Sequence, residues 1–199
     1  MQNLTLAQKH QQFEEFFMIK HNLQVNMRVL DPHFDLPEPE NLIQHMPYAF
    51  QIASELATID SKSVRHLRGL SEHANELVEF LNQQSRKIDM MMSLILQREN
   101  DTDLNYTSEK FGGGGIVLQS DTELALGSLV ELKLFIPEES AAIFCFAEVI
   151  ACEQVGAKQQ LSLIYRCIRE QDQDLLVRAS LHLQAANLRK LKQQKNEQH

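Results

Sequence analysis

The stretch that decides the fold is Phe111–Ile136, FGGGGIVLQSDTELALGSLVELKLFI. It opens on four consecutive glycines, Gly112 to Gly115, in a chain that has only seven. Ile116, Val117 and Leu118 then form a short apolar strand, and Asp121 to Gly127 is a connector with a turn at Leu126-Gly127. Leu129 to Ile136 alternates charged and apolar side chains, the period of a strand with one wet face. After a turn at Pro137 to Ser140, Ala142 to Cys152 reads as a mostly apolar strand, and after Val155-Gly156-Ala157 the alternation resumes over Gln160 to Cys167. Upstream, Asn105 to Lys110 reads as a half-exposed first strand. Short strands parted by turns at this spacing predict a small antiparallel barrel or sandwich.

Three readings of the glycine run compete. A phosphate-binding loop needs Gly-Lys-Ser/Thr entering a helix, whereas Ile116-Val117-Leu118 enters a strand. A dinucleotide fingerprint needs strand, loop and helix in that order, which is absent. A turn or bulge between two strands needs only glycine's tolerance of positive φ and close backbone approach.

Outward toward the N-terminus lies Ser61–Arg98, with no proline and one glycine, Gly69. Written in heptads, it places Leu67, Ala74, Leu81, Ile88 and Ile95 at a, and Leu70, Leu77, Gln84, Met91 and Arg98 at d. An apolar repeat of 3.5 sustained over four heptads predicts a helix that packs on other helices. At 1.5 Å per residue it would run roughly 57 Å, longer than one small domain covers, so part of the seam is expected to meet another copy of the chain. Gln84, the polar residue inside the seam, either fixes register and strand number or faces a wet gap.

Before it, Leu4 to about Asn22 reads as a helix with Leu6, Phe13, Phe16, Phe17 and Ile19 on one face. Asp31 to Glu40 holds three prolines and reads as an extended connector. Pro47 opens a second helix through Phe50, Ile52, Ala53, Leu56 and Ile59. After the barrel, Glu170 to about Asn196 returns to helix, acidic at its start and basic at its end, as the helix dipole favours. The division expected is residues 1–60 as an N-terminal helical region, 61–99 as the oligomerising helix, and 100–199 as the barrel with its C-terminal helix.

The bulk numbers exclude several functions. Among 199 residues 43% are hydrophobic, enough for a packed core, and the net charge of −8 argues against a nucleic-acid or anionic-membrane surface. Cys145, Cys152 and Cys167 lack paired spacing and read as reduced, buried thiols, which together with the charged N-terminus and the lack of a long apolar run predicts a cytoplasmic protein. His66 and His73 are seven apart, too far for one metal on a straight helix. No nucleophile, base and acid stand together, so neither a catalytic constellation nor a metal site is expected.

The run from Gly112 through Leu118, the connector Asp121 to Leu126, Gly127 and the strand Leu129-Val130-Glu131-Leu132 resemble the centre of a PilZ domain. Leu161 to Cys167 and the helix opening Asp172-Gln173-Asp174-Leu175-Leu176-Val177 resemble its ending. The resemblance covers about Asp103 to Arg189. It implies an α+β protein: a small antiparallel β-barrel preceded by long helices and followed by a C-terminal helix. PilZ barrels commonly bind cyclic di-GMP through R-x-x-x-R and D/N-x-S-x-x-G motifs. The aspartate position falls on Lys110, the serine on Gly112 and the glycine on Gly115, so only the glycine is kept, and no two arginines stand four apart. Guanidinium forks grip phosphate bidentately and stack on guanine, so their loss implies weak or no binding and no required cofactor. Lys110, Gly112, Gly115, Arg98 and Arg86 are the candidate ligand contacts that remain. The heptad helix is similar to that of an atypical branch that lacks the arginines and forms tetramers. The resemblance thus implies a non-enzymatic bacterial regulatory module, a homotetramer by preference, acting through contacts with a signalling or motility protein. The alternative is a cyclic di-GMP receptor using non-standard basic residues.

Overall fold

The computed structural model describes residues 5–56, 75–139 and 141–196. The first helix, α1, is Leu6–Glu15; strands β1 (Met18–Lys20) and β2 (Gln24–Val29) follow. A 3-10 turn, Pro39–Gln44, leads into α2, residues 48–56. Helix α3 is Asn75–Arg98. Then come β3 (Asn105–Gly112), β4 (Gly115–Ser120), β5 (Leu129–Ile136), β6 (Ala141–Val155), β7 (Lys158–Cys167) and α4 (Glu170–Asn196).

Every strand pairing is antiparallel, and the order β3-β2-β5-β6-β7-β4 closes on itself through β3–β4 into a six-stranded barrel. Closure leaves the long strands no unpaired edge. The three-residue β1 extends the partner line of β2: β1 pairs with residues 110–112 of β3, and β2 with residues 105–107. Ser108 holds the break between them, accepting from the Leu23 amide at 2.8 Å and donating to the His21 carbonyl at 2.7 Å.

The alternation of β5 sorts its side chains. Val130, Leu132, Leu134 and Ile136 point into the barrel, where Val25, Met27, Ile116, Leu118, Ile143, Cys145, Leu161 and Leu163 meet them. Leu176, Ala179 and Leu183 of α4 stopper one end of this core. The first half of strand β6, Ala141 to Ala147, is apolar because its outer face is covered too. Ala142, Phe144 and Phe146 pack with Phe135 and Cys167 under Leu42, Met46, Ala49, Phe50 and Ala53, and under Met92 and Leu96 of α3. Fully burying one such side chain is worth roughly 1.5–3 kcal/mol, so the outer cluster anchors the helices firmly. Buried Asn26 fixes the end of α3: its amide donates to Asn100 Oδ1 and the Asp101 carbonyl, and its oxygen accepts from the Asp101 amide, each at 2.8 Å.

The expected barrel, α4 and the strands β3 to β7 are found, β5 with the expected bounds and the others one to three residues longer at an end. The expected N-terminal helix is corrected. It ends at Glu15, and within residues 18–29, assigned by sequence to a helical region, Met18–Lys20 and Gln24–Val29 are strands of the sheet. In this stretch Ile19, Leu23, Val25 and Met27 bury their side chains in the barrel core, on partners in β3 and β5 that lie about a hundred residues away. Local periodicity carries no record of such partners. Of the seam positions, Leu67, Leu70 and Ala74 lie outside the described residues.

Candidate functional site

The four glycines end β3 and begin β4, with Gly113 and Gly114 in the turn. None takes a left-handed φ; that conformation belongs to Gly127 (84°) and Gly156 (66°) in two other turns. What the run supplies is bare backbone. A Cβ on Gly113 would lie 2.7 Å from Val177 Cγ2 and 2.8 Å from Phe16 Cδ1, one on Gly114 2.9 Å from Phe16 Cδ2, and one on Gly115 2.5 Å from Phe13 Cε2. The turn is therefore a platform on which the ring of Phe13 in α1, the ring of its C-cap Phe16 and one methyl of α4 rest. Gln173 Nε2 donates to the Gly113 carbonyl at 2.9 Å and ties α4 to the same surface.

Beside the platform, Glu148 projects from the outer face of β6 with its side chain 9% exposed. It accepts from Lys9 Nζ of α1 at 2.5 Å on one oxygen and from Arg166 of β7 at 3.0 Å on the other. A carboxylate so shielded from water is held by having a cation on each side. Lys9, Phe13 and Phe16 stand at i, i+4 and i+7, one face of a helix. None of Lys9, Phe13, Phe16, Glu148 and Arg166 was expected at a site. The available signals were that helical spacing and a lone glutamate in the apolar run Ala142 to Ile150.

The candidate ligand contacts do not converge. Gly112 and Gly115 are packed as above, and an added Cβ at either would meet backbone carbonyls of Phe17 and Leu163, respectively. Lys110 stands opposite Lys20 across β1 and β3 and lines a polar cleft of about 610 Å³ with His21, Asn22, Glu109 and Gln119. Within it Glu109 accepts from Gln119 at 2.8 Å and also from Gln160. Arg86 lines a different cleft, about 840 Å³, between α3 and the residues around Phe135 and Pro137, and Arg98 is exposed at the end of α3.

Helix α3 has two apolar faces. Met92 and Leu96 are buried against the barrel. Leu77, Leu81, Ile88, Met91 and Ile95, the apolar a and d positions among the described residues, are between 40 and 58% exposed, and Phe80 and Leu94 lie exposed beside them. Gln84 is half-buried within this seam.

The titratable groups of the interior are not set up for nucleophilic chemistry. Burial pushes the Cys145 thiol well up, reinforced by Asp172, and pushes Cys167 up to about 11. Burial also raises Tyr165, whose hydroxyl has no hydrogen-bond partner among the described residues. A thiol becomes a nucleophile when its pKa is lowered, which is the opposite case. Asp172 is raised by burial, partly offset by Arg169, which holds it at 2.8 and 3.0 Å. Among the described residues there is no group of three side chains able to hold a metal ion, and no helix long and apolar enough to cross a membrane.

No family model and no curated protein matches the chain. A solved structure does, along nearly its whole length: a protein of Xanthomonas campestris described as a tetrameric PilZ domain self-assembled via an unusual helical bundle. The two share 21% identity and a TM-score of 0.56, over 94% of this chain and 99% of that one. The Bacillus subtilis inhibitor of motility MotI/DgrA is similar over 41% of this chain and 42% of its own, at 24% identity and a TM-score of 0.39. A closed six-stranded antiparallel barrel, stoppered by a C-terminal helix and carrying a long helix between its strands β2 and β3, is an α+β architecture. Its form is PilZ-like.

Proposed function

We propose that this protein is a non-enzymatic, cytoplasmic regulatory module of bacterial cyclic di-GMP-linked signalling, controlling motility or attachment through protein contacts while binding the dinucleotide weakly or not at all. The observation that carries the reading is the exposed seam of α3: five a and d side chains in register on a helix whose other apolar face is already seated on the barrel. A monomer gains nothing from that seam, and a bundle of sister helices would bury it. The PilZ protein of Xanthomonas campestris, similar over its full length, assembles as a tetramer through helices. A homotetramer is accordingly the assembly proposed here. Weak binding is supported by the bare glycine backbone lying beneath Phe13 and Phe16, and by Lys110 and Arg86 lining separate clefts.

Light scattering on the full chain tests the assembly; a monomer at tens of micromolar would sink it. Calorimetric titration with cyclic di-GMP tests the rest, with no saturable heat below about 100 µM expected. The receptor reading draws on Lys20 and Lys110, opposed across two paired strands where an anion would relieve their repulsion. Micromolar affinity lost in Lys110→Ala would replace the first reading with that one.

A further inference from the structure

We propose that the glycine platform is a docking groove for an amphipathic helix of a partner protein, one that presents a cation and two aromatic rings at i, i+4 and i+7, and that α1 is an intramolecular occupant which such a helix displaces. The proposal goes beyond the α3 assembly and does not depend on it.

The groove is built for a helix. Its floor is Gly112 to Gly115, three of which have no room for a side chain while the rings of α1 are in place. Val177 of α4 forms one wall, and Glu148, braced by Arg166, stands where a cation one turn before the first ring arrives. Lys9, Phe13 and Phe16 fill these three positions and span about 10 Å of helix. The platform is rigid: its strands are paired on both sides, and Gln173 pins the turn.

The occupant is held much less firmly than the groove. Helix α1 has ten residues and no fully buried side chain. Isolated helices shorter than about 12–15 residues are marginal in water, so α1 depends on its seat for its fold. Among the described residues its support is the capping box of Thr5 and Gln8, two rings and one ion pair. The helix ends at its C-cap Phe16, whose backbone is extended, and β1 begins at Met18. Swinging α1 away therefore needs rotation at two residues and breaks no strand pairing. Glu148 keeps Arg166 when Lys9 departs, so the groove stays charge-paired while empty. A helix supplied by another molecule competes only with this short, tethered segment, whose effective concentration is on the order of millimolar.

The test supplies such a helix in trans. The probe is a fluorescein-labelled peptide of residues 1–17, MQNLTLAQKHQQFEEFF, titrated into the full chain and into the full chain carrying Phe13→Ser and Phe16→Ser. We expect saturable binding to the double variant, at least tenfold tighter than to the unaltered chain, and at least tenfold weakening when the peptide carries Lys9→Glu. Gly114→Ala, added to the double variant, should also weaken binding, because its methyl occupies the seat of the second ring. Hydrogen exchange on the unaltered chain reads the same device without a variant: α1 amides should exchange at least a hundredfold faster than those of β5 and β6. Equal affinity for both proteins, no binding to a double variant whose barrel melts normally, or α1 amides as protected as β5 and β6 would each overturn the proposal. The peptide result is the same whether the protein is a monomer or a tetramer, so it fails or stands apart from the assembly reading.

Discussion

Replacing Ile88 and Ile95 by glutamate puts two carboxylates in the exposed seam of α3. In the monomer the change is nearly silent, because both side chains are more than 40% exposed and glutamate is as good a helix former as isoleucine or better. In a bundle the effect is large. Each isoleucine, already about half covered, gains roughly 1 kcal/mol on full burial, so two contribute about 2 kcal/mol per chain. Burying the carboxylates without cationic partners adds several kcal/mol. A combined loss of about 4 kcal/mol or more per chain weakens association about a thousandfold. Light scattering coupled to size exclusion reads the outcome. The unaltered protein should elute near four times the 22.9 kDa chain mass, and the double variant at a single chain mass with the same barrel melting temperature. A variant that keeps the parent's mass would refute the placement of the interface. A double variant that melts far below the parent at a concentration where both are monomers would show that the seam belongs to the domain's own core.

Tyr165→Phe removes a buried hydroxyl that has no partner among the described residues, so chemical denaturation should show a protein as stable as the parent or about 1 kcal/mol more stable. Asp172 has a folded-state pKa raised above its ordinary 3.8, so the native state binds the extra proton. Its contribution to stability is fully present below the ordinary value and is lost as pH rises through the folded one; Asp172→Asn should remove that part of the slope in melting curves taken across the acid range. Cys145 and Cys167 are buried with raised pKa values while Cys152 is half-buried, so native alkylation near pH 8 should label one thiol per chain, with mass spectrometry placing it on Cys152.

Much of the barrel was legible because its cause is local. Leu129 to Ile136 alternates at the period of a pleated strand, and it is a strand with those bounds in the fold. The heptad of α3 likewise names the side chains left exposed, since a helix carries its faces in its spacing. The site was less legible. Four glycines announce that something needs room, but whether the need is backbone conformation, a ligand or a neighbouring side chain is decided by what packs there, and here it is the rings of Phe13 and Phe16. Glu148 is conspicuous in an apolar strand, yet its partners Lys9 and Arg166 come from another helix and another strand.

By itself, then, the order of residues determined the elements whose periodicity is complete within a dozen positions: β5, β7, α3 and α4, and through them a barrel with an external helix. Only the tertiary structure decided that Met18–Lys20 and Gln24–Val29 are strands, since their hydrogen bonds go to β3 and β5, about a hundred residues downstream. It also decided that the first half of β6 is apolar on both faces because two cores share it, and that the glycine run is the seat of α1. The physical reason is common to all three. Burial and strand pairing belong to pairs of surfaces, and one segment's sequence records its own half of the pair.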